Sequence, residues 1–177
     1  WKWAKTYMYH DDDTDQKGYF AWSCQLNGER NSQGAAPDGE EYFAMALFFA
    51  ARRWGNGEGI FNYEEQAQQI LHDCVHKGEN GEPGYPMWDP QTKLIKFTAE
   101  SKFTDPSYHL PHFYELFALW SREEDRSFWK EAAKASRAYL KKSCNSVTGL
   151  NPEYAEMSGN PLAKSWPGDH RRDTYYS

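Results

Sequence analysis

Three loop-to-helix junctions in this sequence each carry a side chain that can bind or transfer a proton: Asp38, Tyr108 and Asp173. Each one follows a loop rich in Pro, Gly and polar residues and leads into an aromatic segment with a helical pattern. The three are spaced by about 65 to 70 positions, which is the length of a helical hairpin with its loops. A repeated pair of helices would therefore place them on one rim, and a rim lined by carboxylates and aromatic rings suits a sugar-processing site.

At the first junction, the local pattern also allows a structural role for the acidic residues. Asp38 is a good candidate for the N-cap of a helix that begins near Gly39. A carboxylate at that position stays ionised through the helix dipole, so capping and catalysis are compatible. Glu40 and Glu41 are expected to be first-turn acids that complement the same dipole.

The other two junctions have structural alternatives as well. A tyrosine hydroxyl both donates and accepts hydrogen bonds, so Tyr108 could hold a water in line for attack, or it could be an ordinary rim or core tyrosine. Asp173 follows the basic segment His170-Arg171-Arg172, whose positive charge would keep it ionised. That arrangement suits a general base, and it equally suits a salt-bridged residue at a helix start.

The motifs predict neither a metal nor a cofactor. His109 and His112 are three positions apart and could bind a metal, but Pro111 intervenes and no carboxylate stands at a helpful position. The acidic segment at 11–18 lacks the Gly at the sixth position and the final Glu of a calcium loop. The sequence contains no P-loop, no GxGxxG and no GxSxG motif, which removes the commonest nucleotide-binding and hydrolase patterns.

The composition has two interpretations, a solvent-exposed binding surface and a small aromatic core. Aromatic residues make up 17% of the chain, with eight Trp, although the mean hydropathy is −0.95. Large rings in a polar chain suit stacking on a ligand, or alternatively a small core filled by big side chains. The net charge of −6 without a basic stripe argues against a nucleic-acid partner, and no apolar run is long enough to predict a membrane span.

The cysteine pattern indicates a reducing compartment. Cys24, Cys74 and Cys144 are odd in number, far apart and without CxxC spacing, so a disulfide framework or a zinc site is not expected. One bridge with one free Cys is the alternative. Free thiols predict a cytoplasmic protein.

Helical periodicity predicts a layered array of helical hairpins with functional loops on one edge. Four helices are predicted at about 39–54, 63–76, 107–121 and 124–144, after a short helical segment at 1–10. The first of the four is apolar nearly all round and should lie inside, whereas the second and fourth are amphipathic and should lie outside.

Two of these helices have a predicted buried face. That of the second helix consists of Ala67, Ile70, Leu71, Cys74 and Val75. That of the fourth consists of Phe128, Ala132, Ala135, Tyr139 and Leu140. The remaining predictions are an extended segment at 18–24, a possible hairpin near 94–97, a loop at 145–168 and a new helix near Asp173.

Five segments of the chain resemble glycoside hydrolase family 8. They are Phe20-Ala21-Trp22-Ser23-Cys24, Asn31-Ser32-Gln33-Gly34, Ala36-Pro37-Asp38-Gly39-Glu40-Glu41-Tyr42, Phe103-Thr104-Asp105-Pro106-Ser107-Tyr108-His109-Leu110-Pro111-His112 and Asp173-Thr174-Tyr175. Within the family they are most similar to the enzymes that release xylose from the reducing end of xylo-oligosaccharides. The resemblance extends over essentially the whole chain and implies an all-α fold, an (α/α)6 barrel of which this chain covers about half. Residues 1–177 are then expected to be part of a single catalytic domain, cut at both ends, whose partners are the xylo-oligosaccharide and the remainder of the barrel.

The resemblance also implies roles for individual residues. Asp173 matches the general base of an inverting hydrolysis of β-1,4-linked xylo-oligosaccharides, and Tyr108 matches the tyrosine that helps to hold the nucleophilic water. Asp38 matches the acidic residue that binds and distorts the sugar at the cleavage point. The expected substrate-binding set is Trp22, Asp38, Tyr42, His109 and Trp166.

The chain departs from the family pattern at the general acid. That residue is a glutamate in a Glu-Gly-x-Ser-Tyr-Gly-Met type of segment, which this sequence does not contain and which would precede Trp1. We therefore expect the 177 residues alone to be inactive. Another family activity (endo-xylanase, endo-glucanase or chitosanase) and a non-catalytic carbohydrate-binding fragment are the alternatives.

Overall fold

In a computed structural model of the chain, residues 1–12 and 14–163 are described, and they are mostly helical. These residues form five α-helices: α1 (Lys2–Tyr7), α2 (Pro37–Trp54), α3 (Tyr63–His76), α4 (Pro111–Trp120) and α5 (Arg126–Ser143). Short 3₁₀ turns lie at Gly59–Phe61, Glu79–Gly81, Pro106–Tyr108 and Glu123–Asp125. Helix α2 packs against α3, and α4 packs against α5, so the chain forms two helical hairpins that meet where α2 contacts α4.

The predicted bounds and the predicted buried face of α3 are both confirmed. Its N-cap is Asn62, whose side chain accepts a hydrogen bond from the Glu65 amide and donates one to the Glu65 carboxylate at 2.8 Å. The first bond satisfies one of the open amides at the helix start, and the second holds the Asn62 side chain in place. The predicted apolar positions from Ala67 to Val75 are all buried, because their spacing places them on one side of the helix.

The start of α2 differs from the prediction. The N-cap residue is Ala36, and Pro37 is the first helical residue, a position where the fixed φ of proline and its missing N–H are both favourable. Asp38 therefore lies within the first turn and is not the N-cap. Glu40 and Glu41 are fully buried, so they do not simply complement the helix dipole at the surface.

Helix α4 begins four residues later than predicted. Residues Pro106–Tyr108 form a separate 3₁₀ turn, which Asp105 caps by accepting a hydrogen bond from the Ser107 amide at 2.8 Å. Leu110 has ψ 67°, outside the helical region, because the following Pro111 disfavours a helical conformation in the residue before it. The tyrosine and histidine of the second junction are therefore held in a turn ahead of the helix.

The buried face of α5 is rotated from the predicted one. The residues that it buries are Trp129, Ala132, Ala133, Ser136, Tyr139 and Ser143. Trp129 replaces Phe128 in the core because its ring packs edge-on against Trp88 and Phe117, at centroid distances of 5.0 and 5.1 Å. Ser136 is buried because it hydrogen-bonds His109, a partner that hydrophobic periodicity does not reveal.

The remaining described segments are irregular, with a small antiparallel ribbon. Strand β1 (Phe103–Thr104) pairs with β2 (Ala155–Glu156), within a region that was expected to be a loop. At the possible hairpin near 94–97 the structure has one isolated antiparallel bridge, between Trp88 and Ile95, and no strands. The segment at 18–24 is extended and makes isolated bridges rather than a strand. None of the described helices has the length and apolar character needed to cross a bilayer.

Candidate active site

A cleft of about 680 Å³ at the start of α2 brings two of the three junctions together. Its lining includes Trp22, Asp38, Tyr42 and Tyr108. Asp38 comes from the first turn of one hairpin and Tyr108 from the turn that precedes the other. The shared rim that the spacing predicts is thus present for these two positions. Asp173 and Trp166 lie outside the described residues.

Burial changes the electrostatics of Asp38. Partial burial raises the pKa of its carboxyl group, although hydrogen bonds from backbone N–H groups of the first turn act in the opposite direction. From the sequence we expected the helix dipole to keep Asp38 ionised. In the structure, the loss of solvent around the carboxyl group has the largest effect on its pKa. A carboxyl group at the edge of a cleft can form hydrogen bonds with sugar hydroxyls.

Tyr108 is fixed from two sides. Its ring stacks on that of Phe97, with centroids 5.9 Å apart and an interplanar angle of 13°. Its backbone carbonyl accepts a hydrogen bond from the Tyr114 hydroxyl at 3.2 Å. Burial, followed by the negative charges of Asp38 and Asp105, raises the pKa of Tyr108. The phenol therefore stays protonated and can donate a hydrogen bond at the cleft.

A buried carboxyl group lies behind Tyr108. Glu41 is fully buried, close to the Tyr114 hydroxyl, and burial raises its pKa well above the ordinary range. Among the described residues, neither carboxyl oxygen has a partner at hydrogen-bond geometry. The same proximity acts on Tyr114, since burial and then the charge of Glu41 raise the pKa of the Tyr114 phenol. No sequence pattern indicated this arrangement, since Glu41 was expected to be a first-turn acid that complements the helix dipole.

A second buried carboxyl group positions Trp22. Glu40 accepts a hydrogen bond from the backbone amide of Phe20 at 2.8 Å, and the Trp22 amide donates to the Gly34 carbonyl at 3.0 Å. Burial raises the pKa of Glu40 from 4.5 to about 8. The extended segment that carries Trp22 is therefore tied to the first turn of α2, next to Asp38.

Two exposed rings flank the cleft. The side chain of Trp22 is 64% exposed and that of Tyr42 is 59% exposed. Tyr42 packs edge-on against Phe113 at a centroid distance of 5.3 Å, which fixes its orientation. Flat, exposed aromatic faces beside a carboxyl group are suited to stacking on a sugar ring.

The structure does not place His109 at the cleft. Its side chain is buried, its ring stacks on Tyr139 at 4.6 Å, and its two nitrogens lie 3.0 Å from the hydroxyls of Thr104 and Ser136. Burial lowers the pKa of His109 to about 3, so the ring is neutral, with one nitrogen donating and the other accepting. The sequence-based assignment of His109 to substrate binding is therefore replaced by a structural role: it joins β1 to α5.

Comparison with known proteins assigns the chain to a family. Residues 1–175 match the family described as "Glycosyl hydrolases family 8". The chain is 60% identical over 176 residues to the reducing end xylose-releasing exo-oligoxylanase of Halalkalibacterium halodurans, covering 99% of this chain and 45% of that protein.

Solved structures give the same result. The structure of Rex8A from Paenibacillus barcinonensis complexed with xylose superposes with a TM-score of 0.91 at 58% identity, over 97% of this chain and 45% of that one. A Rex8A mutant complexed with an arabinofuranosyl-xylotetraose matches with a TM-score of 0.89 at 59% identity, over 92% of this chain and 42% of that one.

The fold class predicted from the sequence is confirmed by these matches. The chain spans a little less than half the length of the relatives it matches, and its two hairpins make up the corresponding part of their (α/α)6 barrel. The chain belongs to glycosyl hydrolases family 8.

Proposed function

We propose that the protein to which this chain contributes is an inverting glycoside hydrolase that releases xylose from the reducing end of β-1,4-linked xylo-oligosaccharides. The observation that carries the proposal is that Trp22, Asp38 and Tyr108, all within segments that resemble this family, line one cleft. The identity of about 60% to a reducing end xylose-releasing exo-oligoxylanase supports the choice of substrate and mode of action.

Three side chains of this chain have separate roles in the proposed chemistry. In an inverting hydrolysis one carboxyl group protonates the leaving oxygen, while a carboxylate on the other side deprotonates the attacking water. Asp173 would be that base, and the Tyr108 hydroxyl would hold the water. Asp38 would bind the sugar at the cleavage point through hydrogen bonds to its hydroxyl groups.

The general acid would come from outside these 177 residues. We place it in a Glu-Gly-x-Ser-Tyr-Gly type of segment on the N-terminal side, within the same catalytic domain. Without a proton donor the leaving oxygen departs as an alkoxide, so the chain alone should be inactive or very weak.

The rest of the barrel would also cover apolar surface that this chain leaves open. Phe49 lies on the face of α2 opposite its buried side and is 54% exposed. Leu119 on α4 is 63% exposed. A helix that is apolar on both sides normally has packing partners on both sides. Further helices of the same domain are the partner that the family fold supplies.

Product analysis on xylohexaose tests the proposal. The intact protein should give xylose and xylopentaose as the first products, and the 177-residue chain should give no release above that of a buffer control. A spread of shorter oligomers would support an endo-acting member of the family instead. Binding of xylohexaose by the intact protein without any turnover would replace the enzyme with a carbohydrate-binding protein.

A further inference from the structure

A cluster of two histidines and an aspartate lies between the two hairpins, away from the cleft. The Nδ1 atom of His72 is 3.0 Å from Oδ2 of Asp125, and the Nε2 atom of His76 is 2.7 Å from Oδ1 of the same carboxylate. The three potential ligand atoms all lie within 4.8 Å of one another. None of the three residues lines the cleft. The cluster is therefore separate from the sugar site.

The backbone presents these side chains to a common point. His72 and His76 are four residues apart on α3 and lie on the same side of it, with ring centroids 4.4 Å apart. Asp125 occupies the N-cap position of α5, yet its side chain makes no capping hydrogen bond. An aspartate at that position normally accepts from the helix amides. Here both carboxylate oxygens are directed to the imidazoles of the other hairpin instead.

The outer nitrogen of His76 has a carboxylate partner of its own. Its Nδ1 atom is 2.9 Å from Oε1 of Glu79, while Nε2 faces Asp125. Metal-binding histidines almost always donate their second N–H to a carboxylate, a carbonyl or a water, which fixes the tautomer and makes the ligating nitrogen a better donor. His76 has this arrangement, with Glu79 at one ring nitrogen and Asp125 at the other.

We propose that His72, His76 and Asp125 bind a divalent transition-metal ion, with Zn²⁺ as the best match, and that Glu79 orients His76 as a ligand. Two imidazoles and one carboxylate are a frequent set for zinc, which accepts three protein ligands and a water. Ions such as Mg²⁺ and Ca²⁺ prefer sites made entirely of oxygen ligands. Both histidines are about one third exposed, which leaves an access path for a hydrated ion.

The geometry needs only a small adjustment to take the metal. Bonds of about 2.0–2.1 Å at tetrahedral angles separate neighbouring ligand atoms by about 3.3 Å. The present separations of 2.7 and 3.0 Å are those of hydrogen bonds, and all three ligand atoms lie within 4.8 Å of one another. A metal would therefore replace the shared protons after shifts of up to about 1 Å per side chain. The ion would then join α3 to the start of α5 and stabilise the contact between the two hairpins.

The test uses the full chain without an affinity tag, treated with a chelator and titrated with ZnCl₂ in a calorimeter. One equivalent of Zn²⁺ should bind, and saturating Zn²⁺ should raise Tm by several degrees, because a ligand that binds only the folded state stabilises it. MgCl₂ should do neither. His72→Gln and His76→Gln should abolish the stoichiometric binding, and Glu79→Gln should lower the affinity about tenfold.

The variants are chosen so that each result is informative. Asp125 is fully buried, so Asp125→Asn is used only if its thermal unfolding remains cooperative. Otherwise the variants of the two histidines, which are about one third exposed, carry the test. His112→Gln, which alters an exposed histidine elsewhere, should bind Zn²⁺ like the wild type. Zinc binding that survives in both histidine variants would indicate the cysteine thiols as ligands. If the wild type binds no zinc, the histidines and Asp125 form only a hydrogen-bonded contact between the hairpins. Either result overturns the proposed site.

Discussion

The hydroxyl group of Tyr114 donates a hydrogen bond to the backbone carbonyl of Tyr108 at 3.2 Å. This contact connects the buried interior of the second hairpin to the residue proposed to hold the attacking water. Tyr114 is fully buried and lies beside the equally buried Glu41. The position of Tyr108 in the cleft is therefore set by core side chains that never touch a substrate.

Replacing Tyr114 with Phe should loosen Tyr108 without removing its hydroxyl group. A carbonyl that loses its donor costs about 1–3 kcal/mol when it is buried, and this one is partly buried. We therefore expect a lower Tm and, in an intact enzyme that carries the variant, a kcat reduced about tenfold with little change in KM. Steady-state kinetics on xylohexaose together with thermal unfolding would measure both.

Tyr139→Phe is the matched control for that variant. The Tyr139 hydroxyl donates to the Glu156 carbonyl at 2.8 Å, a similar bond that lies away from the cleft. It should lower Tm to a similar extent and leave kcat close to that of the wild type. Equal losses of kcat in the two variants would mean that Tyr114 acts only through general stability.

Trp22→Ala should weaken substrate binding without destabilising the protein. Its ring is 64% exposed, so little core packing is lost. An aromatic contact to a ligand is commonly worth about 1 kcal/mol or more. A loss of about 1.4 kcal/mol in binding free energy corresponds to a tenfold change in affinity. We expect KM for xylohexaose to rise about tenfold at an unchanged Tm. Trp54→Ala, which removes a ring that is 75% exposed at the far end of α2, should leave KM unchanged. A KM for Trp22→Ala equal to that of the wild type would remove this ring from the binding surface.

Glu40→Gln should reduce the loss of stability at rising pH. The pKa of Glu40 is raised from 4.5 to about 8 in the folded state. The contribution of Glu40 to the free energy of unfolding is therefore fully present below pH 4.5 and is lost as the pH rises through about 8. The wild-type free energy of unfolding should fall across this window by an amount on the order of a few kcal/mol from this group. The Gln side chain can still accept the Phe20 amide and does not ionise. Denaturant unfolding at pH 5 and pH 8 should therefore show a smaller decrease for the variant than for the wild type or for Glu115→Gln at the surface.

His109→Ala should act on stability and not on substrate affinity. The change removes a ring stacked on Tyr139 and leaves the buried hydroxyls of Thr104 and Ser136 without their partner, so we expect a loss of about 2–4 kcal/mol. KM should stay at its wild-type value in a variant that is kept folded at low temperature. His112→Ala, at an exposed position, should change neither quantity. A raised KM at unchanged stability would restore His109 to the substrate-binding set.

Features encoded by local periodicity could be predicted from the sequence. Helix α3 matched its predicted bounds and buried face because Asn62 and Glu65 mark its start, and its apolar residues repeat with the helical period. The spacing of Asp38 and Tyr108 predicted that they would share a rim, and both line one cleft. These inferences depend on distances along the chain, which a repeated fold converts into distances in space.

Features that depend on tertiary contacts could not be predicted in this way. The burial of Glu40 and Glu41 arises because the segment around Phe20 and the second hairpin cover the first turn of α2. The pairing of His72 and His76 with Asp125 joins residues about 50 positions apart through the packing of two hairpins. In both cases the partner is non-local, and a pattern within one helix carries no information about it.

The most direct test of the proposed function is hydrolysis of xylohexaose by the intact enzyme and its Asp173→Asn variant. Removing the proposed general base should lower kcat by about 10²–10⁴-fold, while the Kd for xylohexaose changes only a few-fold, because the side chain is replaced by one of the same shape. Asp89→Asn is the matched control, since Asp89 accepts hydrogen bonds within a turn away from the cleft, and it should keep wild-type turnover. Wild-type turnover in Asp173→Asn would contradict the proposed mechanism.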